Sequence, residues 1–192
     1  MARPREFDQE IVLNQAMEVF WRKGYERTSI QDLVEHTGVH RGSLYDTFGD
    51  KNQLFLQCLD LFRSKDRAFG ILEEVGESKE VLRRYFDRLI DYALNDDAGR
   101  KGCLIANTAM EMGTIDSSIS VRVEAFSMDV ETSFYKFLMR AQQQGSLKKK
   151  KNVRELARFL VSVRYGLYVL AKTTTDRKVL EDAANVAMLI MV

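Results

Sequence analysis

After Pro4 this chain of 192 residues contains no further proline. Proline removes a backbone N–H and clashes with the preceding helical turn, so a chain without it places no such break on long helices. Apolar residues recur at spacings of three and four through most of the sequence, and no strand-like alternation of useful length interrupts them. The expected fold is therefore all-α, with about nine helices separated by glycine-containing or polar punctuation. Beyond the first quarter, helices are expected over 78–96, 102–112, 116–144, 152–173 and 177–191, with turns at Gly76-Glu77-Ser78, Asp96-Asp97-Ala98-Gly99, Gly113-Thr114-Ile115, Gly145-Ser146 and Thr175-Asp176.

Composition narrows the class of function. Hydrophobic residues make up 45% and charged residues 30%, enough apolar surface to build a core and too much for a disordered chain. No apolar run reaches the roughly 18 residues needed to span a bilayer, and no signal or transit peptide is recognisable. Two cysteines, Cys58 and Cys103, do not form a disulfide framework, which favours a reducing, cytoplasmic location. The histidines are His36 and His40, in one short segment, and no glycine-rich phosphate loop, nucleophile elbow or metal-ligand cluster occurs. An enzyme, a cofactor and a metal site are accordingly not expected.

That short segment is Thr28 to Lys51, TSIQDLVEHTGVHRGSLYDTFGDK. Thr28 is placed to cap a helix, with Gln31 returning the bond three residues on. Ile30, Leu33 and Val34 share one face, and Gly38 offers the left-handed conformation that turns the chain. A second short helix starts near His40, with Val39 and Leu44 available to pack. Two short helices joined by a glycine turn make a helix-turn-helix, whose second helix enters the DNA major groove. An earlier helix, capped by Asp8 and ended by Gly24, would support the pair through Ile11, Val12, Ala16, Val19 and Phe20, with Phe7 stapled on Val12. Asp50 caps a fourth helix, with Gln53 at its third position, that is expected to run from Lys51 to about Val75. The domains implied are 1–50, a DNA-binding unit, and 51–192, with the fourth helix as the bridge.

The run T-S-I-x-D-L followed by G-V-x-x-G-S-L-Y-x-x-F-x-D-K-x-x-L-F resembles the TetR family of bacterial transcriptional regulators, with an AcrR-like N-terminal domain. The likeness is dense over residues 7–62 and looser beyond, where Ala141-Gln142, Gly145, Leu147 and the segment Glu155–Leu160 carry it. It implies a homodimeric repressor that reads a near-palindromic double-stranded operator and is released by a small-molecule effector bound to the C-terminal domain.

Physical roles accompany the resemblance. His40, Arg41 and Ser43 are the candidates for base reading, with Arg41 suited to a guanine edge, and Gly42 permits close backbone approach. Tyr45, Lys51, Thr28 and Ser29 are candidates for phosphate contact, the last three at helix N-termini. Phe48 should face inward. A lysine in the first turn of a helix opposes the dipole and calls for compensation. Residues 1–51 hold seven Lys/Arg against nine Asp/Glu, so any DNA affinity must come from placement of charge rather than bulk attraction. The basic arm Ala2-Arg3-Pro4-Arg5 could reach phosphates or remain an ordinary chain end. A helical interaction protein is the rival reading of the motif.

In the second domain, Tyr85, Phe86, Leu89, Tyr92, Cys103, Asn107, Met110, Phe126 and Phe134 are candidates for an effector pocket, and plain core is the alternative for each. Cys103 follows Arg100-Lys101-Gly102 at a helix start, where cations and the dipole would lower a thiol pKa. The segment Gly102–Ala109 also resembles electrophile- and redox-responsive branches of the family, so a cysteine sensor is the alternative mode of control. Lys148-Lys149-Lys150-Lys151 reads as a solvated loop. The apolar stripes of residues 152–191 are expected to supply a two-fold, four-helix dimer interface.

Overall fold

The structure, a computed structural model, describes residues 7–66, 68–95 and 101–191. The N-terminal arm, the turn 96–99 and Arg100 lie outside these residues. Ten α-helices follow in order: α1 (Gln9–Lys23), α2 (Ile30–Thr37), α3 (Arg41–Phe48), α4 (Lys51–Lys65), α5 (Ala68–Glu73), α6 (Ser78–Leu94), α7 (Leu104–Met112), α8 (Ser117–Gln143), α9 (Val153–Thr173) and α10 (Arg177–Met188), with a final 3₁₀ turn at Leu189–Met191. No strand occurs among the described residues. None of the described helices is long and apolar enough to cross a membrane. The contacts divide the chain into two compact units, residues 1–65 with 107–123, and residues 66–106 with 124–192.

In the first unit, α1 starts where expected. The Asp8 carboxylate accepts from the N–H groups of Glu10 (2.8 Å) and Ile11 (3.3 Å), satisfying two donors that have no partner within the helix. Its buried face is Val12, Ala16, Met17, Val19, Phe20 and Trp21. Ile11 is 57% exposed and does not belong to that face, because it falls one position outside the buried stripe. α1 packs on α4 through an aromatic cluster: the Phe55 ring lies 4.8 Å from Phe20 and 4.9 Å from Tyr25, and Trp21 meets Phe62 edge-on at 5.1 Å. Offset and edge-on rings add attraction beyond the area they bury. Cys58 sits fully inside this layer, its Sγ donating to the Leu13 carbonyl at 3.7 Å, and burial pushes its thiol pKa far up.

α4 begins with the expected box, Gln53 N–H donating to Asp50 Oδ1 at 2.8 Å and Asp50 N–H to Gln53 Oε1 at 3.3 Å. It stops at Lys65, ten residues short of the expected end, and α5 is a separate helix. The break has no local signal. Asp66, just past the end, places its carboxylate on the guanidinium of Arg164, 98 residues away. Val75, expected to close the buried face, is 99% exposed.

In the second unit α6 packs on α5, α9 and α10, and α10 packs on α9. The core holds Val81, Leu82, Tyr85, Phe86, Leu89 and Ile90 from α6 with Phe126, Val130, Phe134 and Phe137 from α8. α9 and α10 start on side-chain caps from Asn152 and Asp176. The lysine loop behaves as read, with Lys148, Lys149 and Lys150 exposed, while Lys151 donates to the Ile190 carbonyl at 2.8 Å.

Candidate nucleic-acid interface

The turn between α2 and α3 is built as the sequence suggests. Gly38 has φ +69° and donates to the Val34 carbonyl at 2.9 Å, and open space surrounds its α-carbon. Leu33, Val39, Leu44 and Phe48 are buried and seat the pair of helices. The cap of α2, however, is Ser29 and not Thr28. The Ser29 hydroxyl accepts from Asp32 N–H (3.1 Å) and the Asp32 carboxylate accepts from Ser29 N–H (2.9 Å). The box sits one residue later than the Thr28–Gln31 reading because Thr28 is 1% exposed and its hydroxyl donates to the Gly24 carbonyl at 2.6 Å. Gln31 instead bonds Glu35.

Asp32 also takes a bond from Lys23 Nζ at 2.6 Å. That bond, with those from Ser29, holds its carboxyl at about 2, below the ordinary carboxylate range. A pKa lowered on folding stabilises the native state above the unfolded value near 4 and loses that contribution as pH falls towards 2. The Asp32 carboxyl resonance should therefore titrate with a midpoint near 2, and Lys23→Ala should move it upward.

Seven of the eight candidate DNA residues lie together at the surface of this unit. His40, Arg41, Gly42, Ser43 and Ser29 are exposed, and Tyr45 and Lys51 are half-buried. Thr28 is the one whose side chain faces inward, so its part is to hold the α1–α2 turn. α3 has no side-chain cap and no acidic residue in its first turn, so its leading N–H groups face outward with their partial positive charge. The Arg41 guanidinium stands 5.2 Å over the Tyr45 ring, and added atoms at Gly42 would meet nothing within 4 Å.

Lys51 finds its compensation in Tyr25, whose ring centroid is 4.4 Å from Nζ. No local sequence pattern marks this tyrosine or the three groups around it. Glu111 on α7 accepts from the N–H of Tyr25 (3.0 Å) and Glu26 (2.9 Å). A side chain at Gly24, φ +83°, would strike that carboxylate at 2.8 Å. Asn52 donates to Asp116 at 2.9 Å, and Asp116 also caps α8 through the N–H groups of Ser118 and Ile119. Burial raises the Tyr25 pKa, against a smaller lowering by the Asn52 side chain. The setting of Lys51 thus depends on residues up to 65 positions away, which no local pattern reveals.

The candidate pocket residues divide. Tyr85, Phe86, Leu89, Cys103, Phe126 and Phe134 are buried in the second unit and Tyr92 is half-buried there. Asn107 and Met110 belong to the first unit, and Met110 is 66% exposed. Cys103 is 1% exposed, and burial raises its thiol pKa, outweighing the lowering by Arg164 and by backbone N–H groups of α7. The expected activation fails because the thiol is desolvated, and the thiolate, not the thiol, is the nucleophile.

An exposed polar helix seated by a glycine turn on a two-helix support defines a helix-turn-helix DNA-binding protein. Residues 12–58 match the family described as bacterial regulatory proteins, tetR family, and residues 78–187 match the tetracyclin repressor-like C-terminal domain. The chain belongs to the TetR family of bacterial transcriptional regulators. It is 38% identical to an uncharacterized HTH-type transcriptional regulator, YezE, of Bacillus subtilis, over 100% of both chains. It is 29% identical to the HTH-type transcriptional repressor ComR of Escherichia coli, over 97% of this chain and 90% of that one. Among solved structures, a cysteine-substituted TetR family regulator CifR bound to 26-base-pair operator DNA superposes with a TM-score of 0.89 at 26% identity, covering 98% of each chain. The family is one of regulators, not enzymes.

Proposed function

We propose that the chain is a cytoplasmic, homodimeric repressor that reads a near-palindromic operator and leaves it when a small effector binds residues of the second unit. The observation that carries this reading is the outward face of α3, where His40, Arg41, Gly42 and Ser43 are all exposed while Leu44 and Phe48 are buried beneath them. Arg41, His40 and Ser43 read base edges, Gly42 lets the backbone approach, and Ser29, Tyr45 and Lys51 hold phosphates. Residues 1–50 form the reading domain, and residues from 51 onward serve sensing and dimerisation. The charge deficit of the segment makes placed cations decisive.

Two subunits are needed to fill successive major grooves. α9, α10 and the 3₁₀ turn after them leave Phe159, Leu170, Val179, Val186 and Leu189 exposed at 37–63%, a large apolar surface for so short a stretch. A second copy covering residues 152–191 accounts for it. Effector control requires tighter effector binding to the form that cannot engage DNA.

Lys51→Ala should weaken binding to all sequences and lower the slope of log affinity against log salt by about one. Fluorescence anisotropy across a salt series measures both. An unchanged slope would remove Lys51 from the phosphate contacts.

A further inference from the structure

Among the described residues Arg164 is the largest fully buried side chain, halfway along α9 in the second unit. Its Nη1 donates to the Tyr85 hydroxyl at 2.7 Å and its Nη2 donates to the Asp66 carboxylate. The guanidinium carbon lies 5.4 Å from the Tyr168 ring centroid and 6.0 Å from that of Phe126. Phe134, itself fully buried, packs edge-on against Tyr85 at 5.1 Å. A buried ion pair is a poor source of stability, because apolar residues of the same volume commonly do as well. Its presence here asks for another purpose.

Two donors beside the guanidinium are left over. The Tyr85 hydroxyl is spent as an acceptor from Arg164, and among the described residues its own proton has no acceptor, though the side chain is 0% exposed. The Tyr168 hydroxyl, in a side chain 6% exposed, makes no hydrogen bond to a described residue. The Tyr85 hydroxyl and the Tyr168 ring thus flank the guanidinium on which one carboxylate, that of Asp66, now sits. Arg164 lies in mid-helix, whereas Asp66 lies in the non-helical break after Lys65.

We infer that Arg164, Tyr85 and Tyr168 form the anchor for the carboxylate of an aromatic acid, and that Asp66 is the internal group this ligand replaces. The inference deepens the effector reading above and rests on it. Carboxylate for carboxylate leaves the buried guanidinium compensated, whereas a neutral ligand displacing Asp66 would strand a buried charge. A phosphate dianion would bring one charge too many into an apolar surround. Aromatic walls at Phe126, Phe134 and Tyr168 favour a ring behind the carboxylate. The group released, Asp66, directly follows the last residue of α4, the helix whose first residue is Lys51, so exchange acts on the end of that helix.

Benzoate and its neutral isostere benzamide test the site on the full-length protein in low-chloride buffer, by thermal shift and calorimetry, with operator binding followed in parallel. Benzoate should stabilise the wild type and benzamide should not. Asp66→Asn removes the competitor and should bind benzoate at least about tenfold tighter, a gain that a merely structural ion pair would not give. Tyr168→Phe, which keeps the ring, should weaken benzoate by about threefold or more. Equal responses to benzoate and benzamide, or no tighter binding in Asp66→Asn, would overturn the assignment; if Asp66→Asn does not fold, the wild type and Tyr168→Phe decide. Those results are independent of operator binding. Benzoate bound with operator affinity unchanged would support the anchor and overturn effector release instead.

Discussion

Val186→Glu is expected to convert the protein to monomers and to lower operator affinity by about 100-fold or more. Val186 is 63% exposed on α10, beside Leu189 at 63% and across from Phe159 of α9, which lines the same groove. A carboxylate there costs little in the free subunit, since it replaces an already exposed valine. In a two-fold interface the same substitution appears twice and buries two unpaired charges in an apolar contact. Losing the partner removes the second reading helix, and tethering two modules typically adds two or more orders of magnitude in affinity. Sedimentation and gel shift on the same samples check the two halves together. A Val186→Glu protein that remains dimeric and binds operator normally would place the interface elsewhere.

Phe55→Ala should lower stability by about 3–5 kcal/mol, the usual range for deleting a buried phenylalanine. Phe55 is 1% exposed, and its ring meets both Phe20 and Tyr25. Few neighbours can fill the space, because the α1–α4 layer is made of rigid rings. For a chain of this size the loss corresponds to a fall in Tm of roughly 6–20 °C. DNA binding should suffer beyond the stability change, since Tyr25 is also the ring beneath Lys51. A calorimetric scan gives the first effect. Anisotropy well below the transition gives the second.

These expectations also mark what could be read directly from the chain. The cap at Asp8, the left-handed Gly38, the inward Phe48 and the Asp50–Gln53 box all depend on residues within four positions, and each is found in place. Thr28 and Ser29 show the limit of such reading. Two adjacent hydroxyls both offer a cap, and the burial of Thr28, with its hydroxyl on the Gly24 carbonyl, decides between them. The break after Lys65 is illegible for a different reason, since no glycine or proline marks it and the partner of Asp66, Arg164, is 98 positions away. Arg164 itself did carry a signal. Val153, Ala157, Leu160, Arg164, Leu167 and Ala171 recur at spacings of three and four and are all buried, so the arginine stands on the core stripe of α9. A charge in that register points to a buried partner, as Asp66 proves to be. Glu111 and Asp116 carried none, because nothing near them in sequence announces the α1–α2 turn or Asn52.

Control by Cys103 is weakened by the same structural fact that strengthens Arg164 as an anchor. Both are buried in one apolar layer. There a thiol is held neutral and unreactive, while a guanidinium keeps its charge and requires an anion. The sequence placed the cysteine beside cations at a helix start, and burial reverses the consequence.

Two copies of the α2–α3 motif are expected to read DNA as a symmetric pair. Selection of bound fragments from a random duplex pool, followed by sequencing, tests it most directly. The expected result is an enriched near-palindrome whose half-sites lie about one helical turn or a multiple of it apart, with Arg41→Ala relaxing preference at one symmetric pair of positions. Enrichment of no sequence, or of a single half-site without a symmetric mate, would contradict it.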